Sequence, residues 1–116
     1  MVNWVLYGLT LIYALSMSKL NAQKVEVEST LQTIVISSFE RTTIYHTQNH
    51  IEAPNWSHDG KTLIYNSNGL LYKIPVQGGK PQLIPTDFAK RINNDHGISP
   101  DGARLVISDQ TETGKS

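Results

Sequence analysis

Short runs of β-branched and apolar residues, broken by Gly, Pro, Asn and Asp, dominate the chain from residue 32 onward. Gln32-Thr33-Ile34-Val35-Ile36-Ser37-Ser38 has no helical period and predicts a strand. Phe39-Glu40-Arg41 is the expected turn, and residues 42–47 the next strand. Period-two alternation puts Ile44 and His46 on one face of it, and Tyr45 and Thr47 on the other. Residues 53–57, 62–66 and 70–76 predict three further strands. The Asn68-Gly69 dipeptide between the last two is a strong hairpin signal, because both residues accept positive φ. Pro75 has no N–H to give a ladder, so it belongs at a strand end or free edge. Residues 81–85, bounded by prolines, predict a short edge strand. Phe88-Ala89-Lys90-Arg91-Ile92 offers one helical turn, too short to stand alone. Two final strands flank residues 99–102.

One stretch occurs twice. Trp56-Ser57-His58-Asp59-Gly60-Lys61-Thr62-Leu63-Ile64-Tyr65 returns as Ile98-Ser99-Pro100-Asp101-Gly102-Ala103-Arg104-Leu105-Val106-Ile107, always 42 residues later. A fixed period of that size marks a repeat architecture. Asp59-Gly60 and Asp101-Gly102 suit tight reversals: Asp caps its own backbone and Gly takes positive φ. Pro100 pre-sets φ for the second turn. His58 stands in its place in the first, which predicts a less rigid turn. One period spans four strands joined by three tight turns.

This pattern resembles the PD40, or TolB-like, repeat of β-propellers: an apolar or aromatic residue, Ser-Pro-Asp-Gly, a basic residue and an apolar triplet. His58 for Pro is the departure in the first copy, and Arg104, one place late, in the second. Leu71-Tyr72-Lys73-Ile74 before Gly78-Gly79 resembles the third strand and turn of such a blade. The resemblance covers residues 31–109, with repeats at about 54–85 and 96–109. It implies an all-β chain: a β-propeller fragment with one complete four-stranded blade and two half-blades, within residues 31–116. Propellers close with about four to eight blades, so a fragment of a longer propeller or a truncated reading frame is expected, marginal in stability or aggregation-prone on its own. Trp56 is expected to fill the wedge between blades.

The N-terminus is of another kind. Residues 1–17 are almost entirely apolar or small, and Lys19 is the first charged side chain. Residues 1–22 read as a signal peptide cleaved after Ala22 or as an uncleaved membrane anchor, and residues 23–30 as a lead-in. Leu20 and the lack of an N-terminal Lys or Arg depart from the ideal signal. The rest is expected to be periplasmic or secreted, with membrane contact only through residues 1–22. The formal net charge is zero, so nucleic acid is not an expected partner. Cysteine is absent, which removes disulfides, thiolate metal sites and thiol nucleophiles.

Little catalytic chemistry stands out. Of the four histidines, His46, His50, His58 and His96, none forms a helical ligand pair, and a zinc site needs three or four convergent ligands. No cofactor or metal is expected. Asp59 and Asp101 read as turn residues, not a catalytic carboxylate pair. Thr113-Gly114-Lys115-Ser116 lacks the leading Gly of a phosphate loop, since position 109 is Asp. The segments entering the innermost strands of a propeller ring its channel mouth. Glu52, Asn94, Asp95 and His96 are therefore the candidate ligand-binding residues. The resemblance implies a non-enzymatic binding platform for an envelope protein or a carbohydrate, with a translocation or envelope-scaffold role and with the missing blades as partners. The alternatives are the propeller of a metal-dependent, oligogalacturonate-type lyase, in which His96 alone is available as a channel ligand, and the propeller domain of a serine peptidase.

Overall fold

The computed structural model describes residues 25–111. The expected signal or anchor at 1–22 lies outside them. Eight strands follow one another: β1 (Ser29–Ile34), β2 (Arg41–Thr47), β3 (Glu52–Trp56), β4 (Thr62–Ser67), β5 (Leu70–Pro75), β6 (Gln82–Leu83), β7 (Ile92–Ile98) and β8 (Leu105–Asp109). They form a β1–β2 pair, a four-stranded β3-β4-β5-β6 sheet and a β7–β8 pair, all antiparallel. This is the expected fragment of a propeller: one blade between two half-blades.

Turn chemistry sets these pairings. In the first repeat, Ser57 Oγ donates to Asp59 Oδ1 at 2.6 Å, while Lys61 N donates to the same oxygen at 3.0 Å. Thr62 N donates to Ser57 Oγ at 3.0 Å. The second repeat copies the network: Ser99 Oγ donates to Asp101 Oδ1, Ala103 N to Asp101 Oδ1 and Arg104 N to Ser99 Oγ. Gly60 and Gly102 close the two turns at φ 69° and 71°. The repeated Ser and Asp are thus turn builders. The pKa values of Asp59 and Asp101 are held below the usual carboxylate range, first by the serine hydroxyl and then by the backbone N–H of Lys61 or Ala103. Between β4 and β5, Asn68 at φ 51° and Gly69 at φ 78° make the expected hairpin turn.

The two faces of the central sheet bury different clusters. On one, Leu63, Tyr65 and Ile74 pack with Leu31 and Ile44 of the preceding pair. On the other, Leu71 packs with Ala89 and Ile92 of the following segment. Tyr65 stacks on Tyr72, with ring centroids 5.7 Å apart. Burial pushes the Tyr65 hydroxyl up to about 12, with further contributions from Tyr45 and Tyr72.

Several expectations need correction. β1 begins at Ser29, inside the expected lead-in, and ends at Ile34. The turn lies at residues 36–38, ahead of Phe39-Glu40-Arg41, with Phe39 N donating back to Val35 O at 2.7 Å. Ile36 is therefore 86% exposed. Strict alternation fails in β2, because Leu31 pairs with Tyr45 and Gln32 with Thr43. Ile44 bulges, so Ile44 and Tyr45 both reach the first cluster. No helical turn forms at residues 88–92. A bend at Asp87-Phe88 replaces it, closed by Ala89 N donating to Thr86 O at 3.0 Å, and β7 starts at Ile92. Trp56, expected in the wedge between blades, is 52% exposed.

Candidate functional site

The candidate residues sit where the ladders break. β3 slips register between Glu52 and Asn55, and β7 between Ile92 and His96. Ala53, inside the first break, takes φ 47°, a region that disfavours residues with a Cβ. Asp95 stands 42 residues after Ala53, so both innermost strands carry an irregularity at the same place in the repeat. Bulges of this kind re-aim side chains and gather near binding sites.

His96 points across the gap between sheets. Its Nε2 lies 3.3 Å from Asn55 Nδ2, which also donates to Ala53 O at 3.2 Å. The amide is a donor here, so the imidazole must accept through Nε2 and carry its proton on Nδ1. That is the neutral ring. Protonation would set two donors against each other, and burial lowers the His96 pKa further, opposed in part by the Ile64 backbone. Nδ1 is enclosed, with no hydrogen-bond partner among the described residues.

The other candidates are more open. Asn94 and Asp95 are exposed, and Asp95 N is held by Asn93 Oδ1 at 2.8 Å. Glu52 is half-buried, with His50 Nδ1 3.7 Å from its carboxylate. Among the described residues no hydrogen bond or ion pair joins Glu52 to Asn94, Asp95 or His96. Asp95 and His96 line an open recess of about 380 Å³ with Gly97, Val106, Ile107 and Ser108. His50 lines a different one, of about 510 Å³, with Asn49, Asn68 and residues 25–27. The four histidines have separate partners: His46 meets Glu28 at 2.8 Å, and His58 Nε2 lies 2.6 Å from Ser99 O. Among the described residues, no three His, Asp or Glu side chains gather as a cation would require.

Three polar residues make contacts that the sequence did not foresee. Asn66, 1% exposed, donates through Nδ2 to Ile92 O at 2.7 Å and Asn93 O at 2.5 Å. It caps backbone where β7 leaves its ladder. Asn55 orients His96. His58, whose place in the repeat belongs to Pro, ties its own turn to the next one. The sequence signal for Asn66 was its position: a polar residue inside a strand, next to the apolar Leu63-Ile64-Tyr65.

No family model matches the chain. An uncharacterized protein of Agrobacterium fabrum, Atu1656, is 46% identical over 91 residues, spanning 78% of this chain and 31% of its own length. The Tol-Pal system protein TolB of Francisella tularensis is 32% identical over 95 residues, spanning 70% of this chain and 21% of that protein. The chain thus covers less than a third of the curated relatives it matches. A solved structure described as a "putative TolB" from Agrobacterium tumefaciens superposes with a TM-score of 0.73 at 45% identity, over 78% of this chain and 32% of the other. Identity and shape agree over the same share of the chain, which makes the aligned part TolB-like.

Proposed function

We propose that the chain is part of a periplasmic or secreted β-propeller of TolB type that acts without catalysis, as a binding platform for an envelope protein or a carbohydrate. The observation that carries this reading is the 45% identity, at a TM-score of 0.73, to the TolB-type structure. The Francisella relative is named for the Tol-Pal system, which favours a protein partner over a sugar. The channel-mouth residues Glu52, Asn94, Asp95 and His96 supply the polar contacts. Exposed Asn94 and Asp95 offer a donor and a carboxylate, while His96 stays neutral and forms the recess wall. A fold alone does not define a partner, so the test lies at these residues.

Photo-crosslinkable side chains at Asn94 and Asp95, in the tagged chain expressed in a Gram-negative cell, are expected to give a discrete protein adduct in the periplasmic fraction. The same group at Lys80, exposed elsewhere, should give none. A glycan array probed with the purified chain covers the carbohydrate arm. A chain retained in the cytosol, or equal adducts from all three positions, would sink the reading.

A further inference from the structure

A recess of about 110 Å³ lies in the joint between β2 and the central blade. Tyr45 of β2, Tyr65 of β4 and Tyr72 of β5 meet in it, and all of its lining falls between residues 45 and 81. β5 moved back by the 42-residue period falls on β1, a third strand, and β2 is then the fourth. Strands that complete that blade add to the other edge of β1, and no β1 residue lines the recess. None of Glu52, Asn94, Asp95 and His96 lines it either.

The rim and the floor differ. At the rim, Asn68 Nδ2 donates to Asn49 Oδ1 at 3.4 Å, and Asn49 Nδ2 donates to Thr47 Oγ1 at 3.4 Å. Both bonds are long, so these groups can turn to a ligand at little cost. On the floor, Tyr65 is 2% exposed and Ser67 7% exposed. Both line the recess, and neither hydroxyl has a hydrogen-bond partner among the described residues. A buried hydroxyl left unpaired is costly, so the recess must be filled from outside by groups that can pair with both. No charged side chain lines it, which gives an ion nothing to pair with. Phenols, aliphatic hydroxyls and carboxamides both donate and accept, as sugar hydroxyls do. The Tyr65 hydroxyl keeps its proton up to about 12 and so retains both roles. Tyrosine rings add apolar bodies behind these polar tips. We infer that this recess is a carbohydrate site, which takes the hydroxyl-bearing edge of one neutral sugar residue against Tyr65 and Ser67.

At about 30 Å³ per water, the space holds about three or four waters, and ligand hydroxyls that reproduce their bonds can displace them. The recess shares Asn49 and Asn68 with its neighbour of about 510 Å³, which leaves room for the next unit of a glycan. The site is separate from the channel mouth and stands whether or not a protein docks there.

The test is a titration of the purified chain with the methyl glycosides of glucose, galactose, mannose and N-acetylglucosamine, followed by NMR of the tyrosine ring protons. At least one glycoside is expected to move the Tyr45, Tyr65 and Tyr72 signals with a Kd of about 1–10 mM, the range for a ligand of about twelve non-hydrogen atoms. Tyr65→Phe and Ser67→Ala should each weaken that binding at least about fivefold, the loss of one hydrogen bond. Ser37→Ala, in an exposed turn, should leave it unchanged. Because the two hydroxyls have no partner in the chain, both recess variants should keep the wild-type urea midpoint, which separates lost binding from lost folding. A midpoint fall of more than about 0.5 M would show that the hydroxyls already pair within the chain, and would overturn the proposal. So would the absence of a shift with all four glycosides, as a recess holding water alone requires, or undiminished affinity in the two variants.

Discussion

Asn66 joins two blades through one amide. Replacement by Leu keeps its branched outline in a somewhat larger side chain and removes both hydrogen bonds to the Ile92 and Asn93 carbonyls. Each bond contributes about 1 kcal/mol net, and a buried carbonyl left without a partner costs about 1–3 kcal/mol. The orphaned Oδ1 of Asn66 is removed as well, which offsets part of the loss. The expected destabilisation is about 2–4 kcal/mol. With a urea dependence of about 1–3 kcal/mol per molar, the midpoint followed by far-ultraviolet circular dichroism should fall by about 1–2 M. Asn66→Asp sharpens the test. A carboxylate facing two carbonyls in a buried site has a raised pKa. Its protonated form can still donate one bond, so this variant should be least impaired below the ordinary carboxylate pKa and should lose stability as pH rises through the raised folded value. A midpoint shift under about 0.3 M for Leu, or no pH dependence for Asp, would refute the reading of Asn66 as the tie between blades.

Gly69→Ala should cost about 2–4 kcal/mol, combining left-handed backbone strain with a methyl placed 2.7 Å from Lys90 O. Gly60→Ala, with the same sign of φ but nothing within 4 Å, should cost about 1 kcal/mol, and equal urea midpoints for the two would remove the contact from the account. Carboxyl NMR should find Asp59 and Asp101 titrating below 3.8, with Ser57→Ala moving Asp59 back up. Because the folded pKa is depressed, the contribution of these groups is present above the unfolded value and lost as pH falls through the folded one; unmoved resonances would contradict the hydroxyl bonds. Tyr65 should ionise near 12 in an ultraviolet titration, and since its folded pKa is raised, its contribution is full below about 10 and lost as pH climbs towards the folded value. Ionisation near 10 would contradict the burial of the Tyr65 hydroxyl.

The repeat made the central blade legible. Asn68-Gly69 and Asp59-Gly60 admit the positive φ a tight turn needs and Pro75 fixes its own φ, and all three turned up where local chemistry put them. The edges were less legible. Val35 and Ile36 look like strand residues, yet the ladder partner needed to hold them ends at Arg41. Lys90-Arg91-Ile92 has a helical composition, but Ile92 N is claimed by Gly69 O at 3.0 Å, a contact 23 residues away in sequence. At the candidate site, sequence placed His96 in an inner-strand entry but could not orient it. That depends on Asn55, and on register slips that no single-strand pattern encodes. Trp56 misled for a related reason: its type suits a wedge, but what covers it is set by the neighbouring sheet.

The missing side chain of Gly69 has a consequence beyond its own turn. The place a β-carbon would take lies against the backbone of Lys90 and Arg91, so its absence sets how closely one blade approaches the next. Around a closed ring the angular steps must sum to one full turn. A side chain at this joint would therefore not stay a local defect: the excess angle would pass to every other joint, or open a gap at the seam.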